Sequence, residues 1–288
     1  MGRSASRLAA QAVRALPRKG LSKALGRIAG AEAPQSVVDA VIAAFVRAYD
    51  VDMSQVEMPP GGFPTFDAFF TRRLRPGSRV IDSDPKAIVS PADGRIEDFG
   101  PLTASAELQV KGHRYTAADL LGDAHAAERY QGGHYFIVYL SPRDYHRVHA
   151  PTSGDVQSVR YVPGTLFPVN RIGTDHIPQL FARNERLAIV QEGHVHGSVT
   201  TIMVGAIGVG RIELSFDDIQ TNRGDTPGVR TYDDSRIARA RGDELGVFHL
   251  GSTAIVMIPS GYDVVFRAEM GAAVKVGEAI AFGGLDGQ

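Results

Sequence analysis

From Lys86 onward the chain breaks into short apolar runs separated by turn residues. That texture limits the fold more than any other feature of the 288 residues. The runs fall at 87–90, 96–99, 135–140, 156–162, 187–191, 195–204, 212–215, 254–258 and 264–267. Most are rich in Val, Ile and Tyr, which fit a pleated, half-buried surface. The best helical interludes are 117–121 and 124–130. Hydrophobic residues make up 43% of the chain, enough for a full core plus a small appendage. The expected fold class is α+β: a β-rich, barrel- or sandwich-like core over residues 76–288, behind a helical N-terminal region over 1–75.

The N-terminal region has its own character. Residues 3–29 read as one or two basic amphipathic helices broken near Pro17, with Leu21, Leu25 and Ile28 at helical spacing. Residues 1–30 hold seven cations and no acid, so a chain of net charge -1 carries -8 over its remainder. Such a segment can lie in a membrane interface, its apolar stripe in the acyl chains and its cations near anionic headgroups. A helix docked on its own protein is the alternative. No apolar span is long enough for a transmembrane helix, and the compact apolar core of a secretory signal is missing.

A linker at 33–36 leads to a second helix. Ser36 and Asp39 suggest a variant capping box, and Val38, Val41, Ile42, Phe45, Val46 and Tyr49 form its stripe, facing the core or lipid. A short helix is expected within 63–74, ending in the basic tip Arg72, Arg73 and Arg75. The polar stretch 222–242 reads as a long loop.

Composition also excludes chemistry. There is no cysteine, hence no disulfide and no cysteine-based zinc site. The near-neutral charge argues against nucleic acid as the main partner. His194 and His196 would share one face of a strand, but no further ligand is evident, so no metal is expected. The glycines of 205–210 do not follow the dinucleotide-binding order.

The chemically suggestive stretch is Leu250-Gly251-Ser252-Thr253, at the entrance of the apolar run 254–258. A serine can attack the carbonyl of the residue before it, turning an amide into an ester. Glycine is the least hindered acyl residue and tolerates unusual backbone angles. Such a serine needs a base, and a histidine oriented by a carboxylate is the common solution near neutral pH. Loops at strand ends offer Asp93, in Ser90-Pro91-Ala92-Asp93-Gly94, and His146 and His149, in the stretch 141–151. Gly242-Asp243-Glu244-Leu245-Gly246 reads as an acidic turn. Ser252 lacks the Gly-x-Ser-x-Gly elbow of a conventional hydrolase.

Taken together these motifs resemble the bacterial type of phosphatidylserine decarboxylase. The resemblance rests on Pro91-Ala92-Asp93-Gly94, on Ser141-Pro142-Arg143-Asp144-Tyr145-His146-Arg147-Val148-His149, and on Tyr161-Val162-Pro163-Gly164. It continues through 180–186, Gly246-x-Phe248 and Leu250-Gly251-Ser252-Thr253, in the family's order. The resemblance implies self-cleavage between Gly251 and Ser252, with His149 as the base and Asp93 orienting its imidazole. Ser252 becomes a pyruvoyl group, the only cofactor implied. It captures the amine of phosphatidylserine and holds the electrons left when carbon dioxide departs. His146 is the candidate proton donor at the substrate carbon, or else a structural hydrogen-bonding residue. Residues 1–251 become the β chain and 252–288 the α chain, a heterodimer that can itself pair. The implied location is peripheral, on the cytoplasmic face of the cell membrane, with phosphatidylserine in anionic membranes as partner. Its rivals are a pyruvoyl enzyme acting on a soluble amino acid and a non-catalytic lipid-binding domain.

Overall fold

The computed structural model describes residues 18–207, 211–222, 227–233, 236–249 and 252–285. The expected helix before Pro17, and Leu250 and Gly251 themselves, lie outside the described residues.

The N-terminal helices are α1 (Arg18–Ala29), α2 (Gln35–Tyr49) and α3 (Phe66–Phe70). The capping box at Ser36 and Asp39 does not form. The N-cap is Pro34, with no side-chain cap bond, and Gln35 Nε2 instead donates to Asp39 Oδ1 at 2.8 Å and to the Phe63 carbonyl at 3.1 Å. Starting the helix just after a proline suits the proline's fixed φ and missing N–H. The stripe of α2 divides. Val38 and Ile42 are buried in a small core with Val51, Val56, Phe63 and Phe69, while Val37, Val41 and Tyr49 stay exposed. Thr65 caps α3 by accepting the Ala68 amide at 3.1 Å. Phe66 and Phe69 of α3 meet Phe45 edge-on, with ring centroids 5.1 and 5.9 Å apart.

The first strands are β1 (Ala87–Val89), β2 (Gly94–Pro101), β3 (Glu107–Val110) and β4 (His113–Thr116), followed by helices α4 (Ala117–Leu121) and α5 (Ala124–Ala127). Next come β5 (His134–Leu140), β6 (Arg147–His149) and β7 (Gly154–Val162), then α6 (Arg171–His176) and α7 (Leu180–Arg183). The remaining strands are β8 (Arg186–Gly193), β9 (Gly197–Val204), β10 (Ile212–Leu214), β11 (Gly228–Thr231), β12 (Ile237–Arg239), β13 (Glu244–Phe248), β14 (Ser252–Ile258), β15 (Tyr262–Phe266), β16 (Ala273–Val274) and β17 (Ala279–Leu285).

Nine strands make one antiparallel sheet in the order β11-β7-β8-β9-β14-β5-β2-β16, with β12 also pairing to β7. It is sandwiched rather than closed. One face packs on the three-stranded sheets β1-β17-β15 and β10-β13-β6, through Ile88, Ala281, Val148, Ile212, Leu245 and Phe248. The other face packs on α4, α7 and the β3-β4 hairpin, through Leu120, Phe181, Leu108 and Tyr115. Strand β14 runs through the middle, between β5 and β9. Its alternate residues feed the two cores: Ala254, Val256 and Ile258 one way, Ile255 and Met257 the other. Burial on both faces explains why its sequence is continuously apolar rather than alternating.

Two expectations are corrected. His194 and His196 lie on the turn between β8 and β9, not within a strand. His196 Nε2 faces the Lys86 carbonyl at 3.2 Å. The expected loop over 222–242 contains β11 and β12, both laid along β7. All four residues of β11 are exposed, so its sequence carries no apolar alternation to read.

Candidate active site

Ser252 opens β14 opposite Leu140 of β5. Strand alternation puts its side chain on the face of Ala254 and Val256. That face packs with Ala92, Val148 and Ala150, the chain neighbours of Asp93 and His149. The Ser252 hydroxyl is fully buried and has no hydrogen-bond partner among the described residues. Leaving a buried hydroxyl unpaired costs about 1–3 kcal/mol, so such a group calls for an explanation, of which a catalytic role is one.

The residues just upstream belong to a different sheet. Strand β13 lies between β10 and β6, and the Phe248 amide donates to the His146 carbonyl at 3.0 Å. The chain therefore crosses from the small sheet to the large one between His249 and Ser252.

His149, in β6, is held at both ring nitrogens. Nδ1 is 2.8 Å from the Gly242 carbonyl. A carbonyl only accepts, so Nδ1 carries the hydrogen and Nε2 the lone pair. The Tyr145 hydroxyl donates to that lone pair at 3.3 Å. Burial pushes the imidazole below its ordinary pKa, opposed by the Gly242 bond and by the charges of Glu244 and Asp93. Burial likewise pushes the Tyr145 phenol up to about 12. Glu244 is paired with Arg147 at 2.6 Å. Gly242 has φ +90°, and a Cβ there would lie 2.7 Å from the Ile81 side chain, so glycine is required twice over.

Asp93 immediately precedes β2 and is 1% exposed. Its carboxylate accepts from Arg79 Nε at 2.8 Å, from a second Arg79 nitrogen, from the Val276 amide at 2.9 Å and from Lys275 Nζ at 3.3 Å. It is near enough to His149 to favour the imidazolium, but the bond that fixes the tautomer comes from the Gly242 carbonyl. The sequence assigned that orienting bond to Asp93. The two loops are still joined, because the His149 amide donates to the Pro91 carbonyl at 2.7 Å.

His146 is different. Nδ1 donates to the Asp144 carbonyl at 2.8 Å, and Nε2 is buried without a partner among the described residues. Its ring lies 4.1 Å from that of Phe70 in α3. Burial, reinforced by the Arg72 charge, lowers its pKa to about 3. In this state it is neutral at physiological pH and presents a bare lone pair, an acceptor rather than a proton donor.

Arginines fasten the N-terminal segment over these loops. Arg72 donates to the carbonyls of Arg143 and Asp144 at 2.8 and 3.0 Å, and Arg147 donates to the Thr71 carbonyl at 3.0 Å. Beside Asp93 and Tyr145 opens a cavity of about 550 Å³ whose lining includes Arg72, Arg79, Arg143 and Lys275. Among the described residues, no group of three His, Cys, Asp or Glu is placed to hold a metal ion. Sequence reasoning overlooked Tyr145, Arg79, Lys275 and Gly242. Tyr145 lies inside a stretch already singled out, and its four-residue spacing from His149 was the available signal.

A buried serine that opens a central strand, lacks the nucleophile elbow of a hydrolase, and packs with the chain neighbours of His149 suits a self-processing type of site. Comparison with known proteins supplies the family. A family profile described as Phosphatidylserine decarboxylase matches residues 66–282. The chain belongs to the phosphatidylserine decarboxylase family. A relative from Xanthomonas campestris pv. campestris, named phosphatidylserine decarboxylase proenzyme, is 41% identical over 275 residues, 92% of this chain and 95% of its own. Relatives of the same name from Myxococcus xanthus and Marinobacter nauticus are 40% and 38% identical, over 84% and 85% of this chain and 86% of each of theirs.

Proposed function

We propose that this phosphatidylserine decarboxylase matures by cutting itself between Gly251 and Ser252 and acts on phosphatidylserine at a membrane surface. The observation that carries the reading is the buried, unpartnered Ser252 hydroxyl at the point where the chain passes between two sheets. Relatives named as proenzymes support it.

His149 is the base. With its hydrogen fixed on Nδ1, its Nε2 lone pair takes the Ser252 hydroxyl proton once the Tyr145 hydroxyl swings aside. Ser252 Oγ then bonds to the Gly251 carbonyl carbon, the peptide C–N bond breaks, and the nitrogen takes a proton, leaving an ester. Loss of the Ser252 α-proton expels Gly251 as a carboxylate. Water then replaces the nitrogen of the dehydroalanine, releasing ammonia and leaving a ketone. Asp93, paired with Arg79 and Lys275, acts through its charge, stabilising the imidazolium that forms.

The position suits the pyruvoyl group, because the Ser252 side chain occupies buried space with no competing hydrogen bond among the described residues. Such a group supplies an electron sink for loss of carbon dioxide from an amine-bearing substrate. The neighbouring cavity falls in the size range of small-ligand sites. Its lining mixes Arg72, Arg79, Arg143 and Lys275 with Asp50, Asp52, Asp93 and Asp144, which suits a headgroup that carries an ammonium as well as a carboxylate and a phosphate. The negative charge of a bound headgroup would favour protonation of His146, which then returns a proton to the substrate carbon.

Apolar side chains left exposed on the helical region support work at a bilayer. Leu25 and Ile28 of α1 are 40% and 71% exposed, and Val37 and Val41 of α2 are 50% and 49% exposed. Among the described residues, no helix is long and apolar enough to cross a membrane. Surface association fits these faces. The cytoplasmic face and the pairing of heterodimers are part of the same proposal.

Intact mass of the purified protein tests the cut. The expected result is a fragment of residues 252–288, lighter by one ammonia than the same fragment beginning with ordinary serine. An active protein of one unbroken 30.9 kDa chain would refute it. Deleting residues 1–30 should weaken binding to phosphatidylserine-containing vesicles while leaving the cut intact. Unchanged vesicle binding would remove the membrane role from that segment.

A further inference from the structure

Three residues before Ser252, the imidazole of His249 is held by groups that the reaction above does not use. Its Nδ1 donates to both carboxylate oxygens of Asp67, at 2.8 and 2.9 Å. Nε2 lies 3.4 Å from Glu213 Oε2 and is buried with no hydrogen-bond partner among the described residues. Arg211 ties the two acids together, 4.0 Å from Asp67 and 3.2 Å from Glu213. The His249 amide also donates to the Arg211 carbonyl at 3.0 Å.

Backbone and side chain are therefore both fixed at His249. On the far side, Ser252 is fixed in the β14 ladder opposite Leu140. Only Leu250 and Gly251 span the gap. With so short a span, any slack at His249 moves the Gly251 carbonyl relative to Ser252 Oγ. Misplacing reacting atoms by about 1 Å can cost about a hundredfold in rate. Asp67 belongs to α3, whose aromatic residues pack against Phe45 of α2 and against His146. The anchor for the upstream arm is thus part of the N-terminal helical segment, 182 residues away in sequence.

We propose that Asp67 and His249 are a positioning pair that pins the upstream arm of the Gly251–Ser252 bond, so that self-cleavage depends on α3 being docked. The inference rests on the self-cleavage reading above. Neither residue exchanges a proton with the reacting atoms. Their contribution is to hold the Gly251 carbonyl where Ser252 can reach it.

The test follows newly synthesised full-length chain on a denaturing gel as it divides. Asp67→Leu and His249→Leu, which remove the acceptor and the donor respectively, are each expected to slow division by about tenfold to a hundredfold. The double variant should be no slower than the slower single, because both changes break one contact. His249→Lys keeps an N–H donor opposite Asp67 and should restore most of the rate. Decarboxylation per mature chain, counted by mass, should match the parent in every variant. Parent-rate division in either single variant overturns the inference. So does an additive double variant, a failure of His249→Lys to restore the rate, or an equal loss of turnover per mature chain, each of which marks general damage to the fold. If the parent chain itself never divides, the self-cleavage reading fails first and takes this inference with it.

Discussion

His146 and His149 stand three residues apart, one just before strand β6 and one within it, yet they occupy opposite kinds of environment. Both donate Nδ1–H to a backbone carbonyl, Asp144 for one and Gly242 for the other. The difference is at Nε2. In His149 that atom faces the Tyr145 hydroxyl and lies within the influence of Asp93 and Glu244. In His146 it faces no partner among the described residues, and the ring lies against Phe70 under the Arg72 charge. One imidazole has acids nearby that favour its protonation; the other has only the Asp144 carbonyl to set against burial and the Arg72 charge. Neighbours in a sequence can thus be assigned to different steps by what packs over them, here the α3 segment against the strand-end loops.

The largest effect that follows from this contrast is at His149. His149→Ala should leave the chain whole, with division slowed by at least about a hundredfold. Division at the parent rate on a denaturing gel would collapse the distinction between the two histidines. A smaller effect is expected at His146. His146→Gln should still divide but decarboxylate about tenfold to a hundredfold more slowly per mature chain. Full activity there would make the residue purely structural.

The smallest effect is on stability. His146 has an unfolded value near 6.5 and a folded value of about 3, so between those limits the unfolded chain binds more protons. Its contribution is complete above pH 6.5 and is lost progressively as pH falls toward 3. Between pH 6.5 and 5 this one residue should account for about 2 kcal/mol of lost stability. Urea unfolding of the undivided Ser252→Ala chain measures the slope, and adding His146→Leu should flatten it. An unaltered slope would mean that the ring is not held neutral. His134, His149 and His196, also depressed chiefly by burial, add to the parent slope in the same direction.

Much of the core was legible because burial leaves its mark on composition. The run 254–258 is apolar throughout since both of its faces are covered, and 117–121 matches α4 to the residue. What escaped was carried by groups without a compositional signature. Strand β11 is exposed along its whole length and carries no apolar alternation, so it looked like a loop. The acidic turn at 242–246 seemed inert because its contribution to His149 is a main-chain carbonyl. Asp93 was read as a candidate from its turn motif, but nothing local announces that Arg79 and Lys275 converge on it. The Asp67–His249 contact joins two stretches that no pattern in the sequence links. Ser36 and Asp39 misled for the converse reason: a familiar local motif lost to Pro34 at the helix start.

Strand β14 is laced to β5 on one side and to β9 on the other, and β17, farther along the same tail, is zipped to β1. If the backbone is severed ahead of Ser252 as proposed, nothing is shed, and the tail stays threaded through the middle of its own parent as a captive insert. Such a molecule would inherit its architecture from a continuous precursor that no longer exists. Once denatured, it would have to reassemble from two separate pieces, one of them contributing the central stave, and renaturation would become a second-order encounter instead of a single chain's return.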